Sequence, residues 1–347
     1  MIEKDHSPWW ASKIRLSGAS AHTSEQFRGR VEVDASGLTF SGHSMGVEFR
    51  NDTARKTDNQ LDYLSLRYGF PFEGSQIRVN VSQRTYRNAT TSGGERVSES
   101  GRKRSMSLMI TRPLFSFHAI EFDSTLRHFS RETDEYQAGA WQSNDLDRRS
   151  SVSLKASSRG ELDSGFVLHT RMDARIGTEH LSTRESSSIN ESDLSYQKLA
   201  VSSSLSRTLI NWRVALDGHY QFSRDPLPDS EHVTVASSSL LRGFSDNSLS
   251  SSEGGWLKIN AQSPAFEIPF TGTMKTHIRL ATLRGWVADS SPQADDSARA
   301  SAYEASLLMR GGEFNAALTV GRMFESAGHA FEVPNSPDVS FAMQLQL

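Results

Sequence analysis

The chain has 347 residues, of which only 36% are hydrophobic, and it carries a net charge of -3 with no cysteine. A mean hydropathy of -0.50 is low for filling a large soluble core. The charge argues against nucleic acid as the main partner, and the missing cysteines exclude a disulfide framework and thiolate metal sites. No run of about 18 apolar residues exists to cross a membrane as a helix. The opening MIEKDHSPWW lacks an apolar core and does not read as a signal peptide.

Taken in order, the chain shows period-two alternation far more often than helical spacing. Residues 1–29 read as a linker or remnant. Strands are then expected near 30–36, 43–50, 61–72 and 76–86, the third with Leu64, Leu66, Tyr68 and Phe70 on one face. They continue near 104–113, 117–129, 137–156, 165–177, 196–207 and 211–223, where Trp212, Val214 and Leu216 align. The last six fall near 231–240, 254–262, 274–287, 302–310, 314–322 and 339–347. Each run has one apolar and one polar face, as a strand between lipid and a wet lumen requires. That gives about sixteen strands over 30–347.

Connections alternate in length. Phe72–Ser75, Leu114–Ser116 and Gly311–Glu313 read as tight turns, whereas 87–103, 178–195, 241–253 and 288–301 read as long polar loops. Short turns on one side and long loops on the other fit a transmembrane antiparallel β-barrel of the outer membrane of a Gram-negative bacterium, facing lipid outside. Aromatics near strand ends (Trp9, Trp10, Phe40, Phe72, Trp141, Phe222, Trp256, Trp286 and Phe324) suit interfacial girdles.

Chemistry-bearing motifs are scarce. The eleven histidines show no paired ligand spacing, there is no nucleophile elbow and no phosphate-binding loop, so no catalytic residue, metal or cofactor is expected. Asp217 and His219 share a strand face and form a theoretical acid–base pair, with ordinary lumen polarity the stronger reading. Asp123 and Asp173 are expected to face the lumen or pair with arginines. The unusual feature is Leu241-Arg242-Gly243-Phe244, an arginine between apolar residues and glycine inside a Ser/Gly-rich loop. Apolar neighbours would not choose open water, so the loop tip is expected to fold back onto something.

This loop, with Leu227-Pro228-Asp229-Ser230-Glu231 before it and Glu253-Gly254-Gly255-Trp256 after it, resembles the sixth extracellular loop of two-partner secretion transporters (TpsB), the haemolysin secretion/activation type. YLSLRYGFPFEGSQIRVNVSQRTY and SGRKRSMSLMITRPL resemble further strands of the same family, and the likeness spans most of 30–347. The resemblance implies a pore that exports a large unfolded exoprotein of the haemolysin, haemagglutinin or contact-dependent-inhibition type, a TpsA-like partner. It also implies that Arg242 reaches an inner-wall strand around Leu283 and Gly285, where the family's usual acid position is held by Leu283. Family members carry periplasmic POTRA domains ahead of the barrel, for which residues 1–29 are too short, so the barrel region alone is expected. A passive porin-like barrel and an outer-membrane protein assembly factor are the other classes left open.

Overall fold

The computed structural model describes residues 14–22, 26–37, 41–54, 59–92, 95–185, 187–245, 247–267, 274–288, 298–312, 314–328 and 333–346. In chain order the strands are β1 (Ile14–His22), β2 (Gln26–Ser36), β3 (Ser44–Ala54), β4 (Gln60–Phe72), β5 (Ser75–Ser92) and β6 (Glu95–Phe117). Next come β7 (Ile120–Gln137), β8 (Ala140–Leu162), β9 (Phe166–Glu185), β10 (Ile189–Leu209) and β11 (Trp212–Phe222). A small two-stranded ribbon, β12 (Val233–Ser237) and β13 (Ser248–Ser251), interrupts the series. The chain resumes with β14 (Gly254–Gln262), the two-residue β15 (Phe266–Glu267), β16 (Lys275–Val287), β17 (Arg299–Gly311), β18 (Phe314–Ala327) and β19 (Asp338–Gln346).

Each long strand pairs antiparallel with its sequence neighbour, with β14 continuing to β16, and β19 returns to pair with β1. Eight residue pairs, from Arg15–Gln346 to His22–Val339, close this seam. The result is a closed barrel of sixteen strands: β1–β11, β14 and β16–β19. Closure matters because lipid offers no hydrogen-bond partner to an unpaired strand edge.

The faces are inverted relative to a soluble protein. On β8, Val152 and Leu154 are exposed while Arg149, Ser151 and Ser153 are buried. The same holds across β16–β18, where Leu280, Tyr303 and Phe324 point out and Ala281, Ala302 and Met323 point in. Of the aromatics expected in girdles, Phe72, Trp141, Phe222 and Phe324 are exposed, whereas Trp256 packs inward against the luminal apolar cluster. Trp9, Trp10 and Phe40 lie outside the described residues.

Several boundaries differ from the sequence reading, each for a physical reason. Segment 14–22, read as linker, is β1, so the barrel begins well before residue 30. Segment 231–240, read as a membrane strand, instead supplies the ribbon strand β12 inside a loop. These two differences offset each other, and the total of sixteen survives. Leu114–Ser116, read as a turn, is a bulge in the β6–β7 ladder, which shifts register between Pro113 and Phe115. Proline cannot donate to a ladder and is tolerated at such a site. The reversal falls at His118–Ala119 instead. The expected loops 87–103 and 178–195 are largely paired strand, because β5 and β6 run 18 and 23 residues and β9 and β10 run 20 and 21. About 9–11 residues cross a bilayer, so the surplus projects beyond it, where both faces are wet and alternation disappears. The middle of the expected loop 288–301 lies outside the described residues.

Candidate functional site

The connection from β11 to β14, residues 223–253, is the sixth at the extracellular end, and it turns inward. Leu227, flanked by Pro226 and Pro228, leads into a 3-10 turn at Asp229–Glu231. Glu231 is buried, and its carboxylate meets Arg175 of β9 at 2.7 Å and Lys198 of β10 at 2.9 Å. Its carbonyl oxygen accepts from Lys198 Nζ (2.8 Å) and Gln221 Nε2 (2.9 Å). Burial by itself pushes the Glu231 carboxyl up, but the Lys198 hydrogen bond and the charges of Arg175 and Lys198 outweigh it and hold the group below the ordinary glutamate range.

From this anchor β12 and β13 form a ribbon with a bulge between Thr234 and Ala236. Its tip carries the motif. Leu241 is extended, Arg242–Phe244 make one 3-10 turn, and Ser245 takes a positive φ of 53° to bring the chain back. Phe244 N–H donates to Leu241 O and Ser245 N–H to Arg242 O.

The tip sits on the inner wall of β14–β19. Leu241, Phe244 and Ala236 pack in one buried cluster with Ala281 and Leu283 of β16, Ala300 and Ala302 of β17, and Met323 of β18. Full burial of side chains such as Leu241 and Phe244 contributes about 1.5–3 kcal/mol each. Backbone meets backbone at two places. A Cβ on Gly321 of β18 would lie 2.4 Å from Gly243 N, and one on Gly243 would lie 2.7 Å from both Tyr303 O and Arg322 N. A Cβ on Gly285 of β16 would lie 2.0 Å from Val235 O. Only glycine admits the loop this close.

Polar contacts complete the seat. Lys258 Nζ donates to Leu240 O at 3.0 Å. Arg242 N–H donates to Glu304 Oε2 at 2.8 Å, and the other Glu304 oxygen accepts from Arg279 at 3.1 Å. The Arg242 guanidinium lies 3.2 Å from Asp338 Oδ2 on β19, whose side chain is 1% exposed against 17% for the arginine.

The residues singled out from sequence therefore sit as follows. Leu241, Arg242, Gly243 and Phe244 form the docked tip. Leu283 and Gly285 meet the loop, Leu283 beside Leu241 and Phe244, and Gly285 against Val235, two residues that do not touch the arginine's charge. The acid comes from Asp338, 96 positions along the chain from Arg242, with Glu304 holding the arginine's backbone. Asp338 carried no local signal. Glu304 did carry one: it is the sole carboxylate of β17, in a luminal row with Ala300, Ala302 and Ser306.

Asp217 and His219 are engaged separately. Asp217 accepts from Ser204 (2.6 Å) and Asn260 (2.5 Å), while His219 lies 2.8 Å from the Ser202 hydroxyl and stacks on Trp256. Asp123 pairs with Lys155 at 2.6 Å, and Asp173 lies 3.6 Å from Arg175.

A closed barrel, lipid-facing outside, charged within, and holding an extracellular loop against its inner wall, defines an outer-membrane transporter barrel. The model of the haemolysin secretion/activation protein family ShlB/FhaC/HecB matches residues 1–307, and the chain belongs to that family of two-partner secretion transporters in the Gram-negative outer membrane. Among solved structures it is similar to CdiB from Acinetobacter baumannii (13% identity, TM-score 0.71, 96% of this chain, 59% of that one). It is equally similar to CdiB from Escherichia coli (16% identity, TM-score 0.71, 96% and 62%). BamA from Haemophilus ducreyi lacking POTRA domains 1–3 shares the fold more distantly (11% identity, TM-score 0.52, 96% and 70%). The chain thus spans about three-fifths of the length of the two CdiB chains. No curated protein sequence matches it.

Proposed function

We propose that this barrel translocates a large unfolded exoprotein, TpsA-like and of the haemolysin, haemagglutinin or contact-dependent-inhibition type, to the cell surface. The docked Leu241–Phe244 tip is the element that must be held, and later shifted, for passage. The observation that carries this reading is the seat itself: an extracellular loop bound inside the lumen by Asp338, Glu304 and a buried apolar cluster. A passive pore would need no Arg-Gly loop tip tied to its wall through Asp338 and Glu304. The eight-pair seam between β1 and β19 supports passage through the lumen over lateral insertion at a weakly closed edge. Polar side chains along the rest of the wall let an extended chain slide without strong binding. Recruitment of the exoprotein from the periplasm is assigned to POTRA-type segments outside the barrel.

The test is secretion. The barrel, with the POTRA-bearing segments of a family member, is co-expressed with a large family exoprotein, and the exoprotein is measured in the medium. Arg242→Ala should abolish export while the barrel still inserts and keeps its heat-modifiable gel mobility. Unchanged export by that variant would overturn the reading.

A further inference from the structure

The luminal cations of this barrel are mostly neutralised: Arg131 by Asp147, Lys155 by Asp123, Arg175 by Glu231 and Arg279 by Glu304. Cations gather without matching carboxylates at one end of the barrel. A cavity of about 810 Å³ lies inside the arc β1–β7, and its lining includes Arg15, Arg67, Arg78 and Arg127 but a single carboxylate, Asp34. Asp34 is committed to Arg67 at 3.0 Å, and Arg67 also holds Glu32.

Arg78 and Arg127 have no carboxylate within ion-pair distance among the described residues. Arg127 donates instead to the Met109 sulfur at 3.7 Å, a weak acceptor for a guanidinium. In register the two arginines flank Met109, one strand away on either side. Adjacent strands lie about 4.8 Å apart, so their backbones are about 10 Å apart. That is the span of about three residues of extended chain. Phe129, one pleat above Arg127, adds an apolar surface, with Arg149 stacked on it at 4.4 Å.

The height of the cavity is also informative. Arg78 stands three residues beyond the start of β5, next to the tight Glu73–Gly74 turn, and Arg127 lies in the same half of the barrel on β7. That end lies opposite the 223–253 connection and is therefore the periplasmic one. Two guanidiniums held about 10 Å apart at a wet entrance present a positive field that attracts an arriving anion.

We propose that this cavity binds an acidic, extended polypeptide segment entering from the periplasm, with Arg78 and Arg127 as the two carboxylate contacts and Met109 and Phe129 as the apolar floor. It rests on the translocation reading above and names the chemistry of the segment the lumen receives first.

The experiment uses the refolded full chain in detergent, with fluorescent Asp/Ser, Lys/Ser and Gly/Ser peptides of equal length, read by anisotropy at low and high salt. The acidic peptide should bind about tenfold more tightly than the neutral one and lose that advantage in high salt. Arg78→Gln with Arg127→Gln should remove the preference, and either single variant substitutes if the double variant fails the gel-mobility check. Equal binding of acidic and neutral peptides, or a folded variant that keeps the wild-type preference, overturns the proposal. Full competition by inorganic phosphate would also overturn it, marking a simple anion site. Arg242→Ala should still bind the acidic peptide. Peptide preference without Arg242-dependent secretion would sink the translocation reading alone, and the converse would sink this one alone.

Discussion

From β2 to β9 the inner wall carries long charged side chains tied in pairs, such as Arg30–Glu48 at 2.8 Å, Arg131–Asp147 at 2.8 Å and Lys155–Asp123 at 2.6 Å. From β14 to β19 the same wall position is held by Ala281, Ala300, Ala302, Gly285 and Gly321, with the charges of Lys258, Arg279, Glu304 and Asp338 near the loop. Both arcs belong to one sheet and obey the same alternation. They differ in side-chain reach. The charged arc carries long side chains that keep the lumen wet, whereas the small-residue arc leaves a recess into which another backbone fits. Docking of the loop is therefore written in what β14–β19 lack as much as in what the loop contains.

The sharpest break in that contrast is Gly321→Val. Its side chain would occupy the place of Gly243's backbone. The tip should be expelled, making the bond after Arg242 at least about tenfold more sensitive to trypsin in the folded barrel. Gly160→Ala, on the other arc and with open space around it, should change nothing. Protection of the tip in Gly321→Val would show that the glycine contact is dispensable.

Leu241→Ala comes next. Removing a fully buried leucine from the apolar cluster should cost about 2–5 kcal/mol of docking free energy. Hydrogen exchange over 240–245 should rise accordingly, while exchange in β4–β8 stays put.

Glu231→Gln should loosen the base of the loop by on the order of 2 kcal/mol, since Arg175 and Lys198 lose their shared anion. The pH dependence follows from the same contact. Glu231 is held below the ordinary glutamate range, so it binds fewer protons docked than free. Its contribution is fully present above the ordinary glutamate value and is lost as pH falls through the lower, docked value. Loop protection that increases as pH falls through the carboxylate range, or an acid-induced loss that is the same in Glu231→Gln, would contradict this.

The smallest effect is expected on the charged arc. Arg67→Gln removes contacts to Glu32 and Asp34, but the arginine is 39% exposed, and such pairs are worth less than about 1 kcal/mol and fade with salt. A denaturation midpoint that drops steeply would mean the paired arc, too, is a structural seat.

Most of the barrel was legible because alternation is a local property. Val79 and Val81 against Arg78 and Asn80 show which side chains must meet lipid, whatever the rest of the chain does. Strand ends were less legible. Beyond the bilayer both faces of β5, β6, β9 and β10 are wet, and the ladder continues on backbone hydrogen bonds that leave no mark in side-chain pattern.

Alternation states that one face is covered, and it is silent on what covers it. The ribbon strand Val233–Ser237 alternates like a membrane strand, yet its buried face meets the inner wall. Ile14–His22, with small and polar residues on its faces, reads as linker, yet it closes the seam with β19. The motif around Arg242 likewise announced a loop that must bury itself. Only closure of the barrel brought Asp338 to that arginine, because the last strand reaches the loop by sheet order and not by sequence proximity. The sequence by itself determined which faces are apolar and that this tip seeks cover. The tertiary structure decided the partner, since a buried charge takes whichever acid the fold delivers within reach.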